Sequence, residues 1–495
     1  MKKNIFIYLL IILATSFVGG CIKDTGNYNY RDINDTWISG LDSTNGYVIY
    51  QFDTLKIDPN VKQRIPNKDS LDYTWSISNS GLGNSSVTKI ISTQRSLVEP
   101  IAETPGNYTL VFKVTNRNTN ISSFARASLT ILSSSGTGWL VLNRTNSKSL
   151  LDIIRDDGRL VRDINAVNGT YSQPPKKLFC LTSGSTFSPE SHIYLFSEND
   201  GMQLSGANLF KISDYPGMFI QAPSLLKPEY YVRRQSPGLE FLQNNGDIYI
   251  KSSNTVSAKL GQKALIQNSN YKSGRIIVAP NSLVIPLVIY DELNGRFLYM
   301  GSGFTPDLLP FMATPNAVFD MNNIGNKTLV HFDKGASSRI YSILKDRNNE
   351  KLFFYSFALS GFVPSSINAP VSVNEIPVSS NMTNASTFAM YEPSYAINNF
   401  SSFIYYAIDN NIWMYNTINF TSQIIYQFPS GSKISVMKMR TEGTSNNIYV
   451  GVNNTANEGS IYKFSFTPTG FFTGNTYTSV RSGFGAIVDI AYKDR

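Results

Sequence analysis

Phe403-Ile404-Tyr405, followed closely by Asn411-Ile412-Trp413-Met414-Tyr415, is a pair of short aromatic strands of the kind that lie side by side in one antiparallel sheet. The same run of apolar and aromatic residues occurs at Trp139-Leu140-Val141, Ile193-Tyr194-Leu195, Ile248-Tyr249-Ile250, Phe297-Leu298-Tyr299, Leu352-Phe353-Phe354 and Ile448-Tyr449-Val450. The starts at 139, 193, 248, 297, 352, 403 and 448 are separated by 54, 55, 49, 55, 51 and 45 residues. A spacing of roughly 50 is the length of one four-stranded propeller blade. Gly459-Ser460-Ile461-Tyr462-Lys463-Phe464 repeats the close pairing after the seventh copy. Hairpin dipeptides stand where blades would turn: Asp157-Gly158, Asn168-Gly169, Asp200-Gly201, Asn245-Gly246 and Asn294-Gly295. The pattern predicts a β-propeller of about seven blades over residues 133–495, with the strand around 486–492 closing the ring. Stacked sandwiches are the competing all-β architecture. No stretch after the N-terminal leader has the length and 3.6-residue period of a substantial helix, which speaks against a parallel α/β enzyme fold.

Upstream, over residues 35–132, the alternation is of a different kind. Tyr73, Trp75 and Ile77 share one face of a strand, Tyr108, Leu110, Phe112 and Val114 another, and Ala127, Leu129 and Ile131 a third. About 100 residues of half-buried strands around one central Trp75 predict an immunoglobulin-like sandwich built without a disulfide. The whole chain therefore reads as all-β.

The N-terminus carries an address. Met1-Lys2-Lys3-Asn4 is basic and residues 5–18 are apolar, a run too short to span about 30 Å of hydrocarbon as a helix. It ends at Val18-Gly19-Gly20-Cys21, which resembles the lipobox of bacterial lipoproteins and implies cleavage after residue 20 and diacylation of Cys21. The polar, Gly/Asn/Tyr-rich stretch over 21–34 reads as a tether. Its opening resembles the export signal of lipoproteins displayed outside a Gram-negative outer membrane. Cys21 and Cys180 are the only cysteines, so once Cys21 is acylated no internal disulfide is possible. Cys180 reads as a small apolar core residue.

Thr104-Pro105-Gly106-Asn107-Tyr108-Thr109-Leu110-Val111-Phe112-Lys113-Val114-Thr115-Asn116 resembles the PKD consensus, in which a Pro-Gly turn feeds an alternating strand. With Gly26-Asn27-Tyr28-Asn29-Tyr30 before it and Gly138-Trp139-Leu140-Val141-Leu142 after it, the chain resembles PKD-like family lipoproteins that accompany Sus-like outer-membrane uptake systems. The resemblance is concentrated in residues 21–160. It implies attachment to outer-membrane lipid through acylated Cys21, exposure on the cell exterior, and association with a Sus-like transporter. Asp42-Ser43-Thr44, Asp53-Thr54-Leu55 and Asp69-Ser70-Leu71 resemble the O-glycosylation acceptor of such surface proteins, at Ser43, Thr54 and Ser70.

Composition narrows the chemistry. With 42% apolar and 16% charged residues the chain has ample core material, and its formal charge of +8 is scattered rather than gathered into basic runs, which argues against nucleic acid as a partner. His192 and His331 stand apart, outside any metal-ligand spacing, and no nucleophile elbow or Walker loop is present. Neither a metal nor a cofactor is expected. Asp156-Asp157-Gly158 and Glu198-Asn199-Asp200-Gly201 lack the ligand alternation of a calcium loop and read as turns. What the 28 Tyr, 30 Phe and 4 Trp favour is recognition of sugars or peptides through flat apolar faces beside amide groups. Alternation puts Trp413 and Tyr415 opposite Ile412 and Met414, which makes Trp413 and Tyr415 the candidate ligand platform. If both faces of that strand are buried, as in a propeller, the same two residues are core. The expected function is non-enzymatic capture of a glycan or peptide. Its rivals are a propeller glycoside hydrolase or lyase using paired carboxylates, and an adhesion or assembly subunit.

Overall fold

The computed structural model describes residues 33–494 apart from 52, 80–87, 134–135, 146–147, 170–172, 182–190, 235–238, 252–258, 279–286, 302–306, 335–338, 360–368, 392–402 and 444. Leader, Cys21 and nearly all of the tether lie outside the described residues. The backbone divides at Leu132–Ser133 into two compact units.

The N-terminal unit is a sandwich. Five strands lie in the order Tyr47–Tyr50, Ser122–Leu132, Gly106–Asn116, Leu71–Asn79 and Thr88–Ser92, the first pair parallel and the others antiparallel. Two short ladders, Thr36–Ser39 with Asn60–Gln63 and Thr54–Ile57 with Leu97–Pro100, make up the remainder. The alternating residues named from sequence form its core: Trp75, Ile77, Leu110, Phe112, Val114, Leu129 and Ile131 are all buried, with Tyr73 and Tyr108 packed at the edge. Trp75 stacks on Phe112 with centroids 4.2 Å apart and donates its indole N–H to the Gln94 carbonyl at 3.0 Å, so this bulky residue is buried without a stranded donor.

The C-terminal unit is a seven-bladed β-propeller. Seven sheets, numbered I–VII, follow one another in space as in sequence, except that sheet I takes its innermost strand from the end of the chain. Ala486–Lys493 pairs antiparallel with Gly138–Thr145, which carries the first copy of the aromatic repeat. The innermost strands of sheets II–VII are Lys177–Leu181, Pro228–Arg234, Ser273–Val278, Lys327–Lys334, Thr387–Tyr391 and Lys433–Glu442. Each touches the next, and Ala486–Lys493 touches both Lys433–Glu442 and Lys177–Leu181, so the ring closes. Closure by strands from both chain ends completes sheet I, and the inner edge of each sheet faces the axis.

Each of the seven aromatic copies occupies its own sheet, but not the same place in it. Those at 139, 193, 403 and 448 are second strands from the axis, whereas those at 248, 297 and 352 are third strands. The reason is burial. The two middle strands of a blade are covered on both faces, so either can carry a continuous apolar run. Period-2 alternation then sends successive side chains to opposite neighbours: Leu140 and Leu142 pack toward sheet II, while Trp139 and Val141 pack toward sheet VII. The core is accordingly divided into seven clusters, one per junction between blades.

Of the hairpin dipeptides, Asn245-Gly246 shows the required geometry most plainly. Both residues have positive φ, 51° and 81°, which matches the right-handed twist of the strands it joins. Asn168-Gly169 is different: Asn168 ends a short 3-10 turn, Ala166–Asn168, between sheets I and II, where its side chain accepts from Lys211 N–H and donates to the Leu209 carbonyl, both at 2.7 Å. Asn suits such side-chain-to-backbone bonding as well as it suits a hairpin, so the dipeptide alone does not distinguish the two.

Candidate functional site

The inner strands run in the same sense, and toward their C-terminal ends they surround an axial cavity of about 460 Å³. Its wall includes Phe179 and Cys180, Tyr230 to Arg233, Arg275, Phe332 to Lys334, Lys438 to Arg440 and Ile490 to Tyr492. Consecutive residues of each of these strands take part, because alternation sends side chains to the two neighbouring blades while the edge of the strand itself faces the axis. A second cavity of about 600 Å³ lies between sheets VII and I, among Asp156, Arg440, Glu442, Tyr449, Lys463 and Arg481. Trp139, Arg440 and Tyr492 line both, so the bore continues outward into a radial cleft.

Three aromatic rings shape the junction. Trp139 packs on Tyr449 at 4.1 Å and meets the edge of Tyr492 at 5.6 Å, while the Arg440 guanidinium lies 3.3 Å above the Tyr492 ring. A carboxylate locks this arrangement. Glu442 pairs with Arg440 and with Lys463, each at 2.6 Å, and accepts from the Tyr449 hydroxyl. Burial acts to raise the Glu442 carboxyl, but the bonds from Lys463, Tyr449 and Arg440 outweigh it and hold the group below its ordinary value. The Tyr449 hydroxyl is pushed up, first by burial and then by this same carboxylate. Tyr492 donates to Asp156 at 2.7 Å, and Asp156 also accepts from Thr137 at 2.7 Å.

The bore is cationic. Among the described residues Arg233, Arg275, Lys334, Lys438 and Arg440 line it against the single acid Asp333. Arg275 lies 4.5 Å over the Tyr230 ring and 3.4 Å from Nδ1 of His331, whose Nε2 is 3.5 Å from Asp333. Asp333 is reachable by water yet enclosed by protein. That enclosure acts to raise its carboxyl, and His331, Arg275 and the Lys334 N–H reverse the effect and keep it low. Burial lowers His331, against the opposing bond to Asp333, which favours the neutral ring. Cys180 is partly accessible in the wall, but burial pushes its thiol up to about 12, so it stays protonated and unreactive at neutral pH.

The candidate platform lies elsewhere. Trp413 and Tyr415 belong to Asn411–Asn416, the third strand of sheet VI, and both pack into the cluster between sheets V and VI. Tyr415 is buried, and Trp413 stacks on Tyr406 at 6.0 Å. The core alternative left open by alternation is thus where the structure places them, because both faces of a middle strand are covered. Ser43, Thr54 and Ser70 are all exposed on the sandwich. The cations of the bore escape a sequence reading because they are one or two residues from each of four blades. The only local signal is an apolar strand ending in Lys or Arg, as in Tyr231-Val232-Arg233 and Met439-Arg440.

A second polar cluster is sealed between sheets II and III. The Glu240 carboxylate accepts from Tyr231 at 2.7 Å and Tyr194 at 3.3 Å, and Lys251 and Arg233 approach it to 3.4 and 3.7 Å. With Tyr194, Tyr231 and Glu240 all buried, this network ties two blades together rather than meeting a ligand. Beside it His192 is buried with neither ring nitrogen hydrogen-bonded. Among the described residues no three His, Cys, Asp or Glu side chains converge as metal ligands would, and no helix is long and apolar enough to cross a membrane.

The PKD-like family model matches residues 21–174, which takes in the sandwich and reaches into sheet I of the propeller. Among curated proteins none matches the sequence. Similar solved structures include a quinoprotein alcohol dehydrogenase-like protein of Bacteroides thetaiotaomicron, with 12% identity over 91% of this chain and 97% of that one, at a TM-score of 0.44. Others are the dihydro-heme d1 dehydrogenase NirN, with 8% identity over 72% and 76% of the two chains at 0.41, and Kluyveromyces lactis Hsv2, with 11% over 64% and 93% at 0.31. The propeller assignment rests on the strand order and ring closure above.

Proposed function

We propose that the protein is a non-enzymatic surface lipoprotein that captures a glycan or peptide at the axial bore and its radial cleft. Acylated Cys21 anchors it to the outer membrane facing the exterior, the sandwich stands between anchor and propeller along the chain, and the captured ligand is passed to a Sus-like uptake system. Tethering a binding module near a transporter raises the effective ligand concentration there without requiring tight binding.

The observation that favours capture over turnover is the state of the acids. The three carboxylates lining the two cavities are each already engaged: Asp156 by Thr137 and Tyr492, Asp333 by His331, and Glu442 by Arg440, Lys463 and Tyr449. General acid and base work needs carboxyl groups whose proton affinity is tuned toward the working pH, whereas Asp333 and Glu442 are both held low. The test is to incubate the detergent-solubilised full chain with polysaccharides and peptide mixtures, measuring both retention and release of products. Retention without products is expected, and product release would overturn the non-enzymatic reading. In cells, Cys21→Ser should move the protein out of the membrane fraction; unchanged membrane association would remove the lipid anchor from the proposal.

A further inference from the structure

Building on the capture reading, we propose that the axial cavity is an oxyanion site and that the captured ligand is an acidic glycan, whose carboxylate or sulfate groups are received by Arg275 and Arg440. The charge pattern carries the inference. Among the described residues, five cations line the bore against Asp333 alone. Each has an acid nearby: Glu240 near Arg233, Asp489 near Lys438 at 3.4 Å, Glu442 near Arg440, and Asp333 shared between Arg275 and Lys334. Glu240 and Glu442 are not single partners, however. Glu240 is shared with Lys251 and Glu442 with Lys463, so on both of these sides one carboxylate answers two cations. A low-dielectric wall around such an excess focuses positive potential into the opening.

The aromatic residues reinforce this reading in an unexpected way. Tyr230 and Tyr492 would be natural sugar platforms, but each already carries a guanidinium, Arg275 at 4.5 Å and Arg440 at 3.3 Å. A ring beneath a guanidinium fixes its plane; with Nη1 of Arg440 bonded to Glu442 and Nη1 of Arg275 facing His331, it is the remaining N–H groups of each that are offered to an anion. Recognition in the bore is therefore by charge, not by stacking. The adjoining cleft offers the neutral hydroxyl of Ser479 and, as an acceptor, that of Thr441, which donates to Asn446 at 2.6 Å, suited to the hydroxyl groups of a chain that continues outward.

The experiment is calorimetric titration of the detergent-solubilised full chain with a uronate oligosaccharide, its carboxyl-reduced neutral counterpart, inorganic sulfate, free uronate and polyglutamate. The acidic oligosaccharide should bind at least about tenfold more tightly than the neutral one, the worth of one charge-assisted hydrogen bond, and should weaken with salt. Lys334→Glu, at an exposed position where charge reversal spares the core, and Arg275→Gln should each weaken it by about tenfold. A circular dichroism spectrum matching wild type establishes that each variant is folded. Equal binding of acidic and neutral sugars, or no effect of Lys334→Glu, would overturn the oxyanion site while leaving capture intact. Tighter binding of polyglutamate, or of sulfate or free uronate, would overturn the glycan assignment. Product release would refute non-enzymatic capture but not the anion site.

Discussion

Burial of His192 makes the propeller acid-sensitive in a way that can be isolated. The ring opens the second strand of sheet II, is 1% exposed, and hydrogen-bonds through neither nitrogen. Burial lowers its pKa from 6.5 to about 4, with nearby Glu240 opposing the shift and Lys251 and Arg233 adding to it. The sign follows directly. The folded chain keeps the ring neutral while the unfolded chain takes up a proton, so the stability contribution is complete above about pH 6.5 and is lost as pH falls toward 4. Between pH 7 and pH 5 this amounts to about 2 kcal/mol. His192→Leu removes the titration and strands no partner, so at pH 7 its stability should lie within about 1 kcal/mol of wild type. The assay is urea unfolding of the full chain at several pH values, read by peptide-resolved hydrogen exchange across residues 192–251 so that the sandwich does not contribute. The variant should lose about 2 kcal/mol less than wild type between pH 7 and pH 5. Parallel pH profiles for the two proteins would refute the argument, because they would mean that the buried ring is not neutral in the fold.

Trp75→Ala should destabilise the sandwich by about 3–5 kcal/mol, seen as an earlier unfolding transition for peptides within 71–132, since it removes the stacked core indole. Trp413→Ala should cost the propeller about 2 kcal/mol or more by opening the cluster between sheets V and VI, yet leave ligand retention unchanged; lost retention in a folded variant would restore Trp413 as a ligand platform. A chain ending at Gly485 lacks the innermost strand of sheet I and the bond from the Leu178 N–H to Asp489. Its amide protection should fall first in sheets VII, I and II, and uniform protection would contradict ring closure through that strand.

Some of this architecture is written in local pattern. Alternation at Trp75, Ile77, Leu110 and Phe112 identifies the sandwich core because a strand's side chains have only two directions to point, and burying one face requires every second residue to be apolar. The recurrence near 50 residues counts the blades because each must supply apolar surface to both neighbours, and the closing strand around 486–492 is legible as one more apolar run. The phase within a blade is not legible. Second and third strands are buried alike, which is why Ile193 and Ile248 look equivalent although they occupy different places.

The site belongs almost wholly to tertiary structure. Arg233, Arg275, Lys334 and the pair Lys438 and Arg440 stand in four strands separated by tens of residues, and nothing local relates those strands. They meet only because the ring closes and turns one edge of each inner strand toward a common axis. The same closure buries Trp413 and Tyr415, whose aromatic character suits core and ligand platform equally well. Hydrophobic periodicity is a nearest-neighbour property of the chain, so the sequence by itself determines strands, blades and the sandwich core. Charge convergence depends on contacts between distant residues, and only the closed propeller decides it.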